Sequence, residues 1–358
     1  MGEQPVPSGA SPNRSVCSLT ERRLRAAVIG CGDVASVHFE ALDDMDDVEL
    51  VGLSGPTAAR REAAAQTWGV PGESVFADHR RMLDQTRPDV VHITTPHAAH
   101  LQPALDAIAT GADVLIEKPL AHTLADAQQI ADAAAAAPGR VGVCFQNRYN
   151  ATSRELHRVL STGELGTVLG ASAAVRWHRS AAYFDAAPWR GTWEGSGGGV
   201  LMNQAIHSLD LLLWLLGDAE AVTGGVGRRT LQGHIEVEDT ADLSILHASG
   251  VRSSFYATNS AALNFSVQLE VQGEWGRLLL DRALTVEVEG TAPRTVEETV
   301  PQGVARSYWG ASHAALIRDF YAGWGSGEQF WISPEEALRP LRVIKEVYRQ
   351  ALPTGQWC

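Results

Sequence analysis

Lys118 and one short polar helix face have residue types suited to proton transfer at a hydroxyl group. Asn203, His207 and Asp210 are spaced i, i+4 and i+7, so on a helix they share one face. Imidazole titrates near neutrality, which suits His207 to exchange a proton with an alcohol oxygen. Lys118 ends an apolar run, and an ammonium group at the carboxyl edge of a parallel sheet can stabilise a developing alkoxide. These residues predict chemistry at an alcohol carbon.

A glycine turn near the start of the chain is typical of a dinucleotide site. Gly30, Gly32 and Ala35 form a G-x-G-x-x-A run between an apolar stretch and an amphipathic one, with Asp33 and Val34 inside it. The first glycine allows a tight turn, and the second lets the backbone approach a pyrophosphate. The third small residue permits close packing of helix on strand, and the phosphates meet the positive end of the helix.

The end of the second predicted strand favours NADP over NAD. An NAD site has a carboxylate there to accept hydrogen bonds from the ribose 2′-hydroxyl. This chain has Ser54 and Gly55 instead, followed by Arg60 and Arg61. A guanidinium can pair with a 2′-phosphate through two hydrogen bonds. The alternative interpretation is that both arginines lie on a solvated helix face.

Alternating strands and helices must position these residues in the first half of the chain. Strands are predicted at 24–29, 48–53, 90–94, 114–117 and 141–145, with helices at 34–42, 58–68, 98–110 and 124–137. This alternation predicts an α/β domain with a parallel sheet, a Rossmann fold, over residues 24–146. Residues 1–23, rich in Pro, Ser and Gly, are predicted to be a disordered extension.

Successive strands dominate the second half of the chain. After helices at 151–160 and 202–216, strand patterns recur at 221–227, 241–247, 251–257, 266–271, 277–280 and 284–288, and two helices follow at 313–324 and 334–350. Strands without intervening helices predict an α+β domain with an open, mainly antiparallel sheet over residues 147–358. We expect the last helix to pack back on the first domain.

Composition excludes several other classes of function. The formal charge of −13 disfavours nucleic acid and anionic membranes as partners, and no apolar run reaches the length of a membrane span. The four cysteines are scattered and unpaired in spacing, which indicates a cytoplasmic protein. The sequence has no zinc-binding, nucleophile-elbow or phosphate-loop motif, so we expect no metal.

Four motifs together resemble one enzyme family. They are Thr94–His100 (TTPHAAH), Glu117-Lys118-Pro119, Gly195–Gly199 (GSGGG) and Asn203–Asp210 (NQAIHSLD). Over about residues 24–352 the chain resembles the glucose–fructose oxidoreductase and inositol dehydrogenase (GFO/IDH/MocA) family. The resemblance implies an NAD(P)-dependent oxidoreductase of a sugar, polyol or related cyclic compound, and a homodimer or homotetramer formed through the outer face of the second sheet.

The resemblance also implies roles for individual residues. Lys118, His207 and Asn203 would be catalytic, and Lys118, Arg148, Asn203 and His207 would bind substrate. Beyond the glycine turn and the end of the second strand, the implied cofactor contacts are Thr95, Pro96, His97, His100, Glu117, Lys118, Asn147, Trp189, Arg190 and Tyr308. Tyr183, Trp189 and Trp193 suit a wall for a pyranose ring, with a core or interface role as the alternative.

One residue departs from the common family pattern. Many members have Asp where this chain has Asn203, and an amide cannot raise the pKa of His207 as a carboxylate would. Either Lys118 takes more of the proton transfer or Asp210 orients the imidazole. Two other functions stay open: redox-neutral sugar modification with a recycled cofactor, and dinucleotide sensing without catalysis.

Overall fold

The computed structural model describes residues 22–298 and 312–353. Most of the predicted extension 1–23 and the predicted contact Tyr308 lie outside these ranges.

The strands are β1 Leu24–Ile29, β2 Val48–Ser54, β3 Val75–Phe76, β4 Val90–Ile93, β5 Asp113–Ile116, β6 Val141–Val143, β7 Val168–Arg176, β8 Ala219–Gly227, β9 Thr240–His247, β10 Arg252–Thr258, β11 Gln268–Gly273, β12 Gly276–Asp281, β13 Ala283–Val288 and β14 Arg294–Val296. The α-helices are α1 Ala35–Asp43, α2 Ala58–Thr67, α3 His79–Thr86, α4 Leu101–Ala109, α5 Leu124–Ala135, α6 Ala151–Ser161, α7 Ala181–Asp185, α8 Trp193–Ser196, α9 Ile206–Leu216, α10 Ser312–Ala322 and α11 Pro334–Ala351.

The first six strands form one sheet in the order β3-β2-β1-β4-β5-β6. Every pairing in it is parallel. The central strands β1, β4 and β5 have buried apolar side chains on both faces, because the connecting helices cover the sheet on both sides. The predicted Rossmann fold is confirmed. Strand β3 and helix α3 were not predicted from the sequence.

The remaining strands form an eight-stranded sheet in the order β14-β13-β12-β11-β7-β10-β9-β8. Only the β7–β10 pairing is parallel; the others are antiparallel. Helices α6, α9 and α11 contact this sheet. Buried and exposed residues alternate along β10, which indicates one covered face and one open face. The predicted mainly antiparallel α+β architecture is confirmed.

The part of the chain that follows residue 311 packs back against the first domain. Helix α10 packs against α1, and α11 contacts α5 as well as α9 and β8. The backbone N–H of Val143, on edge strand β6, donates to the carbonyl of Ile332 at 2.9 Å. Beside it, an added Cβ on Gly142 would lie 2.6 Å from the ring of Phe330. C-terminal residues therefore complete the edge of the first sheet.

One helical stretch among the described residues, Trp193–Leu216, is long and apolar enough to match a membrane span. Within its most apolar window, 78% of the residues are buried inside the protein. Its apolar side chains thus belong to the core beneath the second sheet.

Candidate active site between the two domains

A cleft of about 850 Å³ lies between the two domains. It opens at the carboxyl ends of the parallel strands, where open α/β folds bind ligands. The predicted site residues that line it are Gly30, Gly32, Asp33, Val34, Gly55, Arg60, Thr95, Pro96, His97, Glu117, Lys118, Asn147, Trp189, Arg190, Asn203 and His207. The fold therefore brings residues far apart in sequence to one cavity.

The two glycines of the turn after β1 differ in what surrounds them. Gly30 has φ +112°, and an added Cβ would lie 2.7 Å from the backbone carbon of Thr94. Gly32 has no atom within 4 Å of such a Cβ. Helix α1 begins after Val34 with no side-chain cap on its first N–H groups. The open space at Gly32, at the positive end of this helix, fits a pyrophosphate.

The end of β2 presents a cation and no carboxylate to the cleft. Gly55, Thr57 and Arg60 line the cavity, and the Arg60 side chain is exposed. Arg61 has another role, since its Nη1 donates to the carbonyl of Gly55 at 2.6 Å. Ser54 is buried and does not line the cleft, contrary to its predicted contact.

Lys118 lines the cleft two residues after the end of β5. Its Nζ donates to the backbone carbonyl of Asn203 at 2.9 Å, and the Lys118–Pro119 peptide bond is cis. Burial lowers the pKa of Lys118 below its usual value, and the carboxylate of Glu117 offsets part of that shift. The amine is thus held where the two domains meet.

Asn203 and His207 face the cleft from one side of the same helical segment, as their spacing predicts. Asn203 lies in a π-helical turn, Leu201–Ala205, that leads into α9. Asn203 Nδ2 and His207 Nδ1 are buried and have no hydrogen-bond partner among the described residues. Burial holds the pKa of His207 well below its usual value, and the charge of Lys118 adds to the shift. The imidazole is neutral at pH 7, and both polar atoms are available to a ligand.

Glu117 is hydrogen-bonded by buried histidines behind Lys118. His38 Nε2 and His313 Nε2 lie 3.1 and 3.3 Å from Glu117 Oε1. His38 Nδ1 contacts His92 Nδ1 at 2.8 Å, and His92 Nε2 contacts the Tyr321 hydroxyl at 2.9 Å. Burial alone raises the pKa of Glu117, but the hydrogen bonds from His313 and His38 outweigh it and hold the pKa well below its usual range.

An ionised Glu117 determines the direction of every hydrogen bond in this chain. Because the carboxylate only accepts, His38 donates from Nε2 and must accept at Nδ1. His92 then donates from Nδ1 and accepts the Tyr321 hydroxyl proton at Nε2. Burial lowers the pKa of both His38 and His92, which keeps both imidazoles neutral as this arrangement requires.

The same region contains the one grouping of metal-ligating atoms among the described residues. Atoms of His38, Glu117 and Cys144 lie within 4.8 Å of one another. The histidine and the carboxylate already hydrogen-bond to each other. Burial raises the pKa of the Cys144 thiol well above its usual value. A protonated thiol is a poor metal ligand, so hydrogen bonding accounts for this group.

Arg148 does not line the cleft, contrary to its predicted role in substrate binding. Its side chain is buried and makes two hydrogen bonds to Asp210, at 2.6 and 2.9 Å, and one to Glu336 at 3.0 Å. Asp210 therefore does not orient His207. The guanidinium instead links the segment after β6 to helices α9 and α11.

Three other residues that were predicted to contact a ligand pack within the protein instead of lining the cleft. Ala35 is buried at the start of α1. His100 is also buried, and its Nε2 lies 2.8 Å from the carbonyl of Thr95, so it supports a lining residue without lining the cleft itself. Trp193 packs edge-on against Tyr348, with the ring centroids 5.1 Å apart, and does not join Trp189 and Tyr183 in the cavity wall.

The triglycine before the π-helical turn packs against protein, not against the cleft. Added Cβ atoms on Gly197, Gly198 and Gly199 would lie within 2.2 Å of the His122 carbonyl, the Tyr348 hydroxyl and the Glu238 carbonyl. None of the three glycines lines the cavity. Their role is to let this segment approach its neighbours closely.

Some lining residues were not predicted from the sequence, and four of them, Trp177–Ser180, lie in the loop after β7. The group comprises Cys31, Pro56, Thr57, Thr94, Gln146, Trp177, His178, Arg179, Ser180, Ala186, Ala187, Gln204, Ser208, Val267 and His313, whereas Tyr183 lines the cavity as the sequence suggested. Gln204 Nε2 donates to the Tyr183 hydroxyl at 3.2 Å, and Gln204 Oε1 accepts from Asn259 at 3.0 Å. Gln204 could have been predicted as a lining residue, because it adjoins Asn203 in the sequence. The residues of the loop after β7 could not, because the sequence does not reveal the conformation of that loop.

Family models match both domains of the chain. Residues 24–145 match the model described as "Oxidoreductase family, NAD-binding Rossmann fold", and residues 153–279 match the GFO/IDH/MocA C-terminal domain. The chain belongs to the GFO/IDH/MocA oxidoreductase family. The resemblance inferred from the motifs is confirmed, and membership makes the protein an oxidoreductase with a nicotinamide-dinucleotide site.

Similar proteins within the family are sugar and polyol dehydrogenases. D-apiose dehydrogenase from Paraburkholderia graminis is 28% identical over 94% of this chain and 90% of its own length. Inositol 2-dehydrogenase 2 from Saccharopolyspora erythraea is 28% identical over 76% of this chain and 78% of its own length. The WlbA dehydrogenase from Bordetella pertussis, whose structure is a complex with NADH and UDP-GlcNAcA, is 29% identical in sequence to this chain. Its TM-score is 0.79, with 92% of this chain and 97% of that chain covered.

Proposed function

We propose that the protein is an NAD(P)-dependent dehydrogenase acting on a ring hydroxyl or ketone of a sugar, polyol or related cyclic compound. The observation that carries this proposal is a pair of buried atoms, Asn203 Nδ2 and His207 Nδ1, which have no hydrogen-bond partner in the described part of the chain. They lie beside Lys118 in the cleft that contains the glycine turn. D-apiose and inositol dehydrogenases are relatives of the chain, which supports the substrate class.

In the proposed reaction, Lys118 and His207 act on the substrate hydroxyl. The neutral imidazole accepts the hydroxyl proton, and the ammonium group of Lys118 stabilises the developing alkoxide. Asn203 orients the substrate through its free amide. A nicotinamide held in this cleft would supply the hydride acceptor or donor for the carbinol carbon. In the reduction, His207 returns the proton to the oxygen.

Substitution of Lys118 tests this proposal. We expect K118A to lower kcat about 10²–10⁴-fold, with little change in the Kd of the cofactor. Turnover is measured by reduced-cofactor absorbance on D-apiose, myo-inositol and other cyclic polyols. R81Q, which removes an exposed charge on α3, is the control. Unchanged kcat in K118A would contradict the scheme, and product without net cofactor turnover would indicate the redox-neutral alternative.

We further propose that NADP is the preferred cofactor. Support comes from Arg60, which is exposed at the cleft, and from the absence of a carboxylate among the lining residues after β2. R60A should lower kcat/KM for NADP about 10- to 100-fold and leave kcat/KM for NAD nearly unchanged. Equal losses with both cofactors, or a wild-type preference for NAD, would refute the assignment.

We also propose a cytoplasmic homodimer or homotetramer. The open face of the eight-stranded sheet, with Tyr256 exposed on β10, supports association through this face. The free thiols of Cys31 and Cys144 support a reducing compartment. Light scattering of the purified protein measures the oligomeric state.

A further inference from the structure

We infer that the second domain supplies an anion subsite centred on Arg179, so that the substrate carries a carboxylate or phosphate besides its reacting hydroxyl. This inference rests on the proposed function, because it describes the substrate of the same cleft. Arg179 belongs to the loop between β7 and α7 and lines the cavity wall formed by the second domain.

The Arg179 guanidinium has no carboxylate partner among the described residues. No carboxylate in residues 22–298 or 312–353 lies within ion-pair distance of it, and its buried Nε has no hydrogen-bond partner there. The sequence of residues 299–311 contains no Asp or Glu. A partly buried cation without an acid is costly unless a ligand supplies the opposite charge.

Neighbouring groups fix the orientation of this guanidinium. Nη1 donates to the carbonyl of His178 at 2.8 Å and to Asn264 Oδ1 at 3.0 Å. The group lies 5.1 Å from the ring centroid of Trp177 and 5.3 Å from that of Tyr183. Since one edge is held and both aromatic rings restrict rotation, the remaining N–H groups are pre-oriented. A planar fork of this kind matches a carboxylate or phosphate.

The other charged residues of the cleft are already accounted for. Arg190 Nη2 pairs with Asp33 at 3.1 Å across the two domains. Glu117 is engaged by His38 and His313. Arg60 lies on the first-domain side, after β2, where the adenosine end of a dinucleotide would bind. Lys118 is the cation assigned to the reacting hydroxyl, and its Nζ donates to the carbonyl of Asn203. Besides Lys118, Arg179 is the cation on the substrate side that has no acid partner among the described residues.

A continuous row of side chains connects Arg179 to the reacting groups. Arg179 stacks on Tyr183, whose hydroxyl accepts a hydrogen bond from Gln204. Gln204 adjoins Asn203 in the π-helical turn, one helical turn before His207. The anionic group would therefore lie at the end of the substrate remote from the carbon that is oxidised.

Matched neutral and anionic probes test the subsite. We compare D-glucose with D-glucuronate and D-glucose 6-phosphate, and myo-inositol with myo-inositol 1-phosphate, by turnover and by calorimetric binding to the enzyme–cofactor complex. The anionic member of a pair should bind at least about tenfold more tightly. R179Q should weaken binding of the anionic probes about 10- to 100-fold and leave the neutral probes nearly unchanged, while R179K should retain part of the preference.

The outcomes separate this inference from the proposed function. Tighter binding of the neutral probes, or equal effects of R179Q on both members of a pair, would overturn the anion subsite even if cofactor is reduced. Charge-selective binding lost in R179Q, without turnover of any probe, would support the subsite and count against the proposed function. The R81Q control should leave both preferences intact, and a thermal melt of R179Q confirms that the variant is folded. Glucuronate and glucose 6-phosphate distinguish a carboxylate from a phosphate.

Discussion

The two glycines of the turn after β1 have different roles: Gly30 is required for folding, and Gly32 leaves room for a ligand. We predict that G30A unfolds more readily, because the backbone strain at φ +112° alone costs at least about 1–3 kcal/mol and the added carbon meets the backbone of Thr94. G32A should keep the wild-type melting temperature, because its added carbon has no atom of residues 22–298 or 312–353 within 4 Å. Thermal denaturation measures both effects.

Cofactor titration completes the comparison of the two glycine variants. We expect G32A to raise the Kd of the dinucleotide about 10- to 100-fold, because the methyl group occupies space that a phosphate would need. A stable G32A protein with unchanged affinity would show that the pyrophosphate does not approach this glycine.

The pH dependence of the oxidation follows from two residues. His207 must be neutral to accept a proton, and burial holds its pKa well below 6.5, so the acid limb of kcat/KM should lie below pH 6.5. Lys118 must remain protonated, and burial lowers its pKa from 10.5, so the alkaline limb should lie below pH 10.5. Kinetic profiles of the wild type and of H207Q measure the two limbs. An acid limb above pH 6.5 would contradict the assignment of His207.

The lysine content allows an independent measurement of the alkaline limb. The chain contains only two lysines, Lys118 and Lys345. NMR of the reductively ¹³C-methylated protein should therefore show two lysine side-chain signals, and the one missing in K118A should titrate below pH 10.5. Agreement of that value with the alkaline limb would assign the limb to Lys118.

Among the helices and strands, those whose apolar residues recur with a regular period were predicted correctly from the sequence. The i, i+4 spacing predicted that Asn203 and His207 share a helix face, and both line the cleft. Strand β3 was missed because two residues are too few to form a pattern, and α3 was missed because Met82 and Leu83 are its only buried apolar residues. The π-helical turn at Asn203 has no sequence signature, because it depends on packing against the rest of the protein.

Arg148 shows why a charged residue next to a strand end was misassigned. The sequence places it at the carboxyl edge, but only the tertiary structure brings Asp210 from α9 and Glu336 from α11 to meet it. We predict that R148M costs about 3–5 kcal/mol of stability, because it leaves Asp210 buried without its partner. R148M/D210N should recover part of this loss in urea unfolding. A loss of less than about 1 kcal/mol in R148M would contradict the importance of the buried pair.

At the scale of the whole molecule, the open sheet face is the surface on which the proposed oligomer depends. Tyr256 projects from this face with 41% of its surface exposed. We predict that Y256R shifts the protein toward monomer in light scattering, because a charge would be buried at the interface. W324R is a matched control, since Trp324 is 47% exposed but follows α10, which packs against α1 of the first domain. Dissociation by W324R alone would place the interface elsewhere.

The architecture of the whole chain was predicted better than the substrate side of its cleft. The parallel and antiparallel sheets follow from strand order and periodicity, whereas the wall formed by Trp177, Arg179 and Tyr183 depends on a loop whose conformation no periodic pattern encodes. The domain boundary at residues 146 and 147 stays a prediction.

The return of the C-terminal residues to strand β6 has a consequence for biosynthesis. The carbonyl of Ile332 pairs with Val143, and Phe330 covers Gly142, so this edge of the parallel sheet lacks its cover until residue 332 has left the ribosome. An uncovered edge strand invites pairing with other nascent chains. Ribosome-bound intermediates should therefore depend on chaperones, and so should fragments truncated before residue 320. The folded protein, in which this edge is covered, should not.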